Sequence, residues 1–139
     1  MNISKAGLFC LTIAFVALGT LSSCTDKSKL VVGTWRIDDL KYKEAVAPEL
    51  KPVTDNWVNM MKTSYTITYR ADGTYTATLN NQPVDGKWKL NWNSTAMTST
   101  GPDNQPKTFQ VQELDNEKFE FRVDEGGQEV IFTMGRKKD

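Results

Sequence analysis

Tyr65-Thr66-Ile67-Thr68-Tyr69-Arg70, Ala71-Asp72-Gly73, Thr74-Tyr75-Thr76-Ala77-Thr78-Leu79, Asn80-Asn81-Gln82-Pro83 and Val84-Asp85-Gly86-Lys87-Trp88-Lys89-Leu90-Asn91-Trp92 follow one another without interruption. In the first run Tyr65, Ile67 and Tyr69 alternate with Thr66, Thr68 and Arg70. In the second, Tyr75, Ala77 and Leu79 alternate with threonines. In the third, Val84, Gly86, Trp88, Leu90 and Trp92 alternate with Asp85, Lys87, Lys89 and Asn91. A period of two places one set on a buried face and the other in water. The Asp-Gly and Asn-Asn breaks suit the positive backbone angles of hairpin turns. The stretch therefore predicts an antiparallel meander of three strands.

The flanking sequence extends the meander in both directions. Upstream, Val31, Gly33, Trp35 and Ile37 share a parity and predict a strand over Leu30–Ile37 with Trp35 inward. Pro48 and Pro52 oppose long regular structure, and Thr54 or Asp55 can cap a short helix over Asp55–Lys62 that presents Trp57, Val58 and Met61 on one face. Downstream, Thr95–Thr100 is a weak strand, and Gly101-Pro102-Asp103-Asn104 is a turn. Thr108–Leu114 follows with Phe109 and Val111 inward; Leu114 falls out of phase, as at a bulge or a strand end. Phe119, Phe121 and Val123, then Val130, Phe132 and Met134, mark the last two strands around Glu125-Gly126-Gly127. Eight successive strands joined by local hairpins predict a single eight-stranded antiparallel up-and-down barrel with one short helix between its first two strands. A two-sheet sandwich is the alternative.

The N-terminus carries an address. Lys5 precedes an uncharged apolar run from Ala6 to Leu21, too short for the about 20 residues of a spanning helix, so residues 1–23 read as a secretory signal. Leu21-Ser22-Ser23-Cys24 resembles the lipobox of bacterial lipoproteins. That resemblance implies cleavage before Cys24, a thioether-linked diacylglycerol on its sulfur and an acylated amine. Several chains would hold the protein durably at a membrane, where one would not. Residues 24–29 then form the acylated cysteine and a polar tether, and residues 30–139 the domain. Thr25 stands where inner-membrane retention uses Asp, which implies an outer membrane. Cys10 would leave with the signal and Cys24 would be modified, so no structural disulfide or free thiol is expected. With 17 basic and 17 acidic residues there is no charge bias toward nucleic acid.

Gly33-Thr34-Trp35 at the start of the first strand resembles the Gly-x-Trp motif of the lipocalins, and Arg136 stands where that family places a basic residue over the tryptophan. Asp72-Gly73-Thr74-Tyr75 and Gly86-Lys87-Trp88 are similar to short lipocalin-like domains of bacterial lipoproteins. The resemblance implies barrel closure by Gly33, Trp35 and Arg136, and a barrel that holds a small hydrophobic molecule.

Enzymatic chemistry finds little to work with. The chain has no histidine, which excludes Ser-His, Cys-His and histidine-metal sites. Asp38-Asp39 and Asp124-Glu125 are adjacent pairs whose members point to opposite faces; bordering turns, they read as solvated charge. Asp115, Asn116 and Asp124 lack the spacing of a calcium loop, and no helix follows Gly126-Gly127 to cradle a phosphate. No catalytic residue, metal or cofactor is assigned. Ten inward rings (Trp35, Tyr65, Tyr69, Tyr75, Trp88, Trp92, Phe109, Phe119, Phe121 and Phe132) can either fill a small barrel or line a cup. Tyr65, Tyr69, Trp88 and Trp92 carry polar tips and are the candidate lining, with Trp57, Val58 and Met61 over the open end. The rival expectation is a packed barrel that acts through its surface as an envelope scaffold, interaction module or inhibitor.

Overall fold

The structure, a computed structural model, describes residues 27–138. The signal, Cys24 and the start of the tether lie outside the described residues. Eight strands close into an antiparallel barrel in which each pairs with its sequence neighbours and the last pairs with the first. They are β1 (Gly33–Tyr42), β2 (Tyr65–Tyr69), β3 (Thr74–Leu79), β4 (Gln82–Leu90), β5 (Ala96–Thr100), β6 (Pro106–Leu114), β7 (Lys118–Glu125) and β8 (Gln128–Arg136). A one-turn helix, α1 (Ser28–Val31), precedes β1, and α2 (Lys51–Ser64) joins β1 to β2. Closure pairs every strand on both sides and removes the exposed edge an open sheet would carry. The up-and-down barrel expected from the hairpin spacing is the fold observed.

The alternation seen in the sequence sets the register. Tyr69 faces Tyr75 and Ile67 faces Ala77 across β2 and β3, while Ala77 faces Val84 across β3 and β4. Asn80 and Asn81 both take positive φ, 49° and 62°, in the hairpin between them, as a tight twisted turn requires. The inward residues form one continuous core from Val31 and Trp35 to Phe132 and Met134.

Several boundaries differ from the sequence expectations. Leu30 and Val31 belong to α1 with Ser28 and Lys29, and β1 starts at Gly33 and runs on to Tyr42. The ladder between β1 and β8 shifts between Ile37 and Asp39, so the inward set passes from Trp35 and Ile37 to Leu40. Asp38 and Asp39 thus sit at a bulge inside β1 rather than beside a turn. Asp38 pairs with Arg36 at 2.9 Å and Asp39 with Lys41 at 3.2 Å, so the two carboxylates serve separate partners. A second shift, between Val111 and Glu113, turns Leu114 into the core, which explains its phase.

The helix is longer than Asp55–Lys62. Pro52 falls within its first two positions, where a missing N–H costs nothing, so α2 starts at Lys51 instead of being held off by the proline. Leu50 is the N-cap and makes no side-chain cap bond; the Thr54 hydroxyl instead donates back to the Leu50 carbonyl at 3.0 Å. The face bearing Trp57, Val58 and Met61 packs on the core, as the spacing predicts.

Candidate ligand-binding site

The two ends of the barrel are built differently. At the end where β1 begins, Trp35 is fully buried, its indole Nε1 donates to the Val31 carbonyl at 2.8 Å, and its ring meets Phe119 edge-on at 5.7 Å. The Arg136 guanidinium lies over the indole, 4.3 Å from the ring centre. Its Nη1 donates to the Val32 carbonyl at 2.8 Å, its Nη2 to Leu30 at 2.6 Å and its Nε to Asn116 at 2.6 Å. One side chain thereby ties α1, β8 and the turn between β6 and β7 together. Gly33 has φ of +136°, and a Cβ there would strike Arg136 Nη1, so only glycine admits this stack.

Trp88 belongs to this closed end. Its indole donates to the Arg70 and Thr74 carbonyls, both at 3.1 Å, and its ring packs edge-on against Tyr69 at 5.6 Å. It does not line the cavity described below, contrary to the sequence expectation. Trp92 departs further. It is 94% exposed and lies beyond the end of β4. Asn91 Oδ1 accepts from the backbone N–H groups of Thr95 and Ala96 at 2.8 and 3.0 Å, which turns the chain before Trp92 can continue the strand.

The opposite end holds a cavity of about 300 Å³. Its lining divides into two walls. Ile37 from β1, Phe109 from β6, Phe121 and Val123 from β7 and Phe132 and Met134 from β8 make an apolar wall. Phe121 and Phe132 stack at 5.2 Å with their planes 5° apart, and Phe109 packs on Phe121 at 5.4 Å. Tyr65 and Tyr69 from β2, Tyr75 from β3 and Ser99 from β5 make a hydroxyl-bearing wall, with Lys107 and Glu125 also on the lining. From α2, Trp57 and Met61 reach the cavity, and Trp57 meets Phe132 edge-on at 6.4 Å. Val58 instead lines a separate groove against Leu40, Lys41 and Tyr42. Of the four proposed lining residues, the structure brings together Tyr65 and Tyr69.

Two phenols of this wall, those of Tyr65 and Tyr69, are held in their neutral form. Burial, with the nearby Tyr75 oxygen adding to it, pushes Tyr65 up to about 12. Tyr69, 4% exposed, is raised well above the ordinary tyrosine range by burial and then by Tyr65 and Tyr75. Among the described residues none offers a hydrogen bond to the Tyr65, Tyr69 or Tyr75 hydroxyl. These hydroxyls open onto the cavity instead of being sealed in the core, and each can donate to or accept from a group placed there.

Tyr75, Ser99, Lys107 and Glu125 join the lining beyond the residues expected from the sequence. Parity held the clue for Lys107, which shares its phase with Phe109 and Val111, and for Ser99, which shares its phase with the fully buried Met97. Among the described residues no cluster of three or more His, Cys, Asp or Glu could hold a metal ion, and no helix is long and apolar enough to cross a membrane.

Comparison with solved structures finds similar chains. A DUF4847 family protein from Bacteroides vulgatus matches over 81% of this chain and 98% of its own, with a TM-score of 0.56 and 16% identity. A lipocalin-like protein from Bacteroides uniformis matches over 78% of this chain and 99% of its own, with a TM-score of 0.49 and 15% identity. At 16% identity the likeness to the Bacteroides vulgatus protein speaks for the fold alone. No family model matches the chain, and no curated protein does.

Proposed function

We propose that the protein is a lipocalin-like lipoprotein that binds a small hydrophobic molecule in the open end of its barrel, held at a membrane by acylated Cys24. The observation that carries this reading is the cavity of about 300 Å³ with an aromatic wall. Its volume lies at the lower bound of small-molecule sites, which run from about 300 to about 1,000 Å³. An eight-stranded barrel has an interior wide enough for one small ligand once part of its filling is withdrawn. Here the withdrawal comes from Ala77 and Ser99, small residues on the lining. The role is binding, sequestration or carriage, without turnover or cofactor. The lipobox and Thr25 support an outer-membrane address for the anchor.

Native mass spectrometry on residues 25–139, secreted without Cys24 and purified from the source envelope without detergent, tests the reading. A reproducible extra mass of a hydrophobic metabolite or lipid is expected. A clean apoprotein mass from repeated preparations would count against it.

One observation favours a second role, a protein-interaction module of the envelope. Trp92 places a 94% exposed indole between β4 and β5, and tryptophans of this kind anchor protein contacts. A partner captured by the wild-type chain and lost with Trp92→Ala, together with a clean native mass, would support that role over ligand binding.

A further inference from the structure

The barrel wall thins where β4 meets β5. The ladder between them runs only from Lys87↔Thr100 to Leu90↔Met97. The first half of β4 pairs with β3 alone, and it contains Pro83, a residue with no donor to offer a second neighbour. Outside this seam lies a groove of about 380 Å³ that runs along the turn carrying Gly101, Pro102 and Asp103. Tyr75, Val84, Ser99 and Lys107 line both the groove and the interior cavity, so these four side chains form the threshold between them.

Three of the four carry hydrogen-bond donors. Ser99 sits opposite Lys107 in the ladder of β5 and β6, which brings their Cβ atoms to about 4.5–5.5 Å. Tyr75 lies across Gly86, where a Cβ would strike both the tyrosine ring and the Thr100 carbonyl. Its hydroxyl thus reaches over β4 to the end of β5. Among the described residues neither hydroxyl has a hydrogen-bond partner and Lys107 has no carboxylate partner. Two carboxylates are nearby. Asp103 in the groove accepts from its own turn, at Gln105 N, 3.1 Å. Glu125 lies on β7, beyond the last pair of the β6 and β7 ladder.

The volume sets the size of what fits. About 300 Å³ equals about ten waters at about 30 Å³ each, and hence about ten non-hydrogen atoms. Resting on the binding role above, we infer that the threshold is a head-group site for a small monocarboxylate. Its tail lies against Phe109, Phe121 and Phe132, and its carboxylate accepts from Tyr75, Ser99 and Lys107. A carboxylate carries acceptors only, which suits a site of donors.

Calorimetric titration of residues 25–139, which include every strand of the barrel, with octanoate, 1-octanol and octylamine tests the inference. The probes are matched in length and differ in head group, and at about pH 7 the acid is ionised and the amine protonated. Octanoate is expected to bind about fivefold tighter than octanol, the effect of one partly exposed charge pair, with octylamine weakest. Lys107→Met, which keeps the apolar stem and removes the charge, is expected to bring the ratio of octanoate to octanol affinity down to about one. Equal or tighter binding of octanol or octylamine, or an unchanged preference in Lys107→Met, would overturn the head-group site and leave the hydrophobic cavity standing. Failure of all three probes to bind would overturn both.

Discussion

At one end of the barrel Trp35 lies fully buried beneath Arg136; at the other, Trp57 packs edge-on to Phe132 beside a cavity of about 300 Å³. Both ends are rich in aromatic rings. The difference lies in what the polar atoms of those rings do. Trp35 and Trp88 spend their indole N–H groups on backbone carbonyls, whereas the hydroxyls of Tyr65, Tyr69 and Tyr75 have no partner among the described residues. A ring whose polar tip is satisfied internally completes a core; one whose tip is left open completes a site.

The sharpest way to break this contrast is to attack the closed end. Trp35→Ala removes a fully buried indole and should cost about 3–5 kcal/mol in urea denaturation. A cost below about 1 kcal/mol would mean that this end is not the structural one. Gly33→Ala forces a side chain into the left-handed region and against Arg136, with an expected cost of about 1–3 kcal/mol. Arg136→Met loses the ring contact and three carbonyl hydrogen bonds, and about 2 kcal/mol is expected.

The open end sharpens the comparison through pH. Tyr65 and Tyr69 have folded values raised above that of the unfolded chain, so their contribution is complete below about pH 10. It is lost as pH rises through about 12 for Tyr65, because the unfolded chain releases its phenolic protons first. Stability measured across that window should fall with rising pH, and Tyr65→Phe with Tyr69→Phe should flatten the fall. An unchanged slope would place the alkaline sensitivity elsewhere. The smallest effect is expected at Trp92→Ala, within about 0.5 kcal/mol of wild type, since the indole packs on nothing.

Alternation alone gave the strand order, the hairpins and most of the core, because a side chain in a half-buried sheet must choose a face. What alternation could not give was where the phase breaks. The strand expected over Leu30–Ile37 stops short of the shift at Asp38 and so does not reach Leu40, apolar but out of phase with Trp35 and Ile37, whereas Leu114 lies within its expected strand and marks the second shift by its phase. The parity of Trp88 and Leu90 points Trp92 inward only if the strand continues past Asn91, whose side chain ends it. Half of the proposed lining was legible for the same reason. Tyr65 and Tyr69 follow from parity, but parity cannot say which inward ring sits at the closed end and which at the hollow one. That depends on hairpin direction and on partners such as the Arg70 carbonyl that holds Trp88.

The cavity as the place of binding is tested most directly by filling it. Ala77 lies on the lining between Ile67 and Val84 in the ladders, so Ala77→Phe puts a ring into the space with the strands unchanged. Native mass spectra of the wild-type and Ala77→Phe chains, purified side by side, should show a bound hydrophobic mass on the first and a bare chain for the second. The same bound mass on Ala77→Phe would contradict the account, for the ligand would then be held somewhere other than the open end of the barrel.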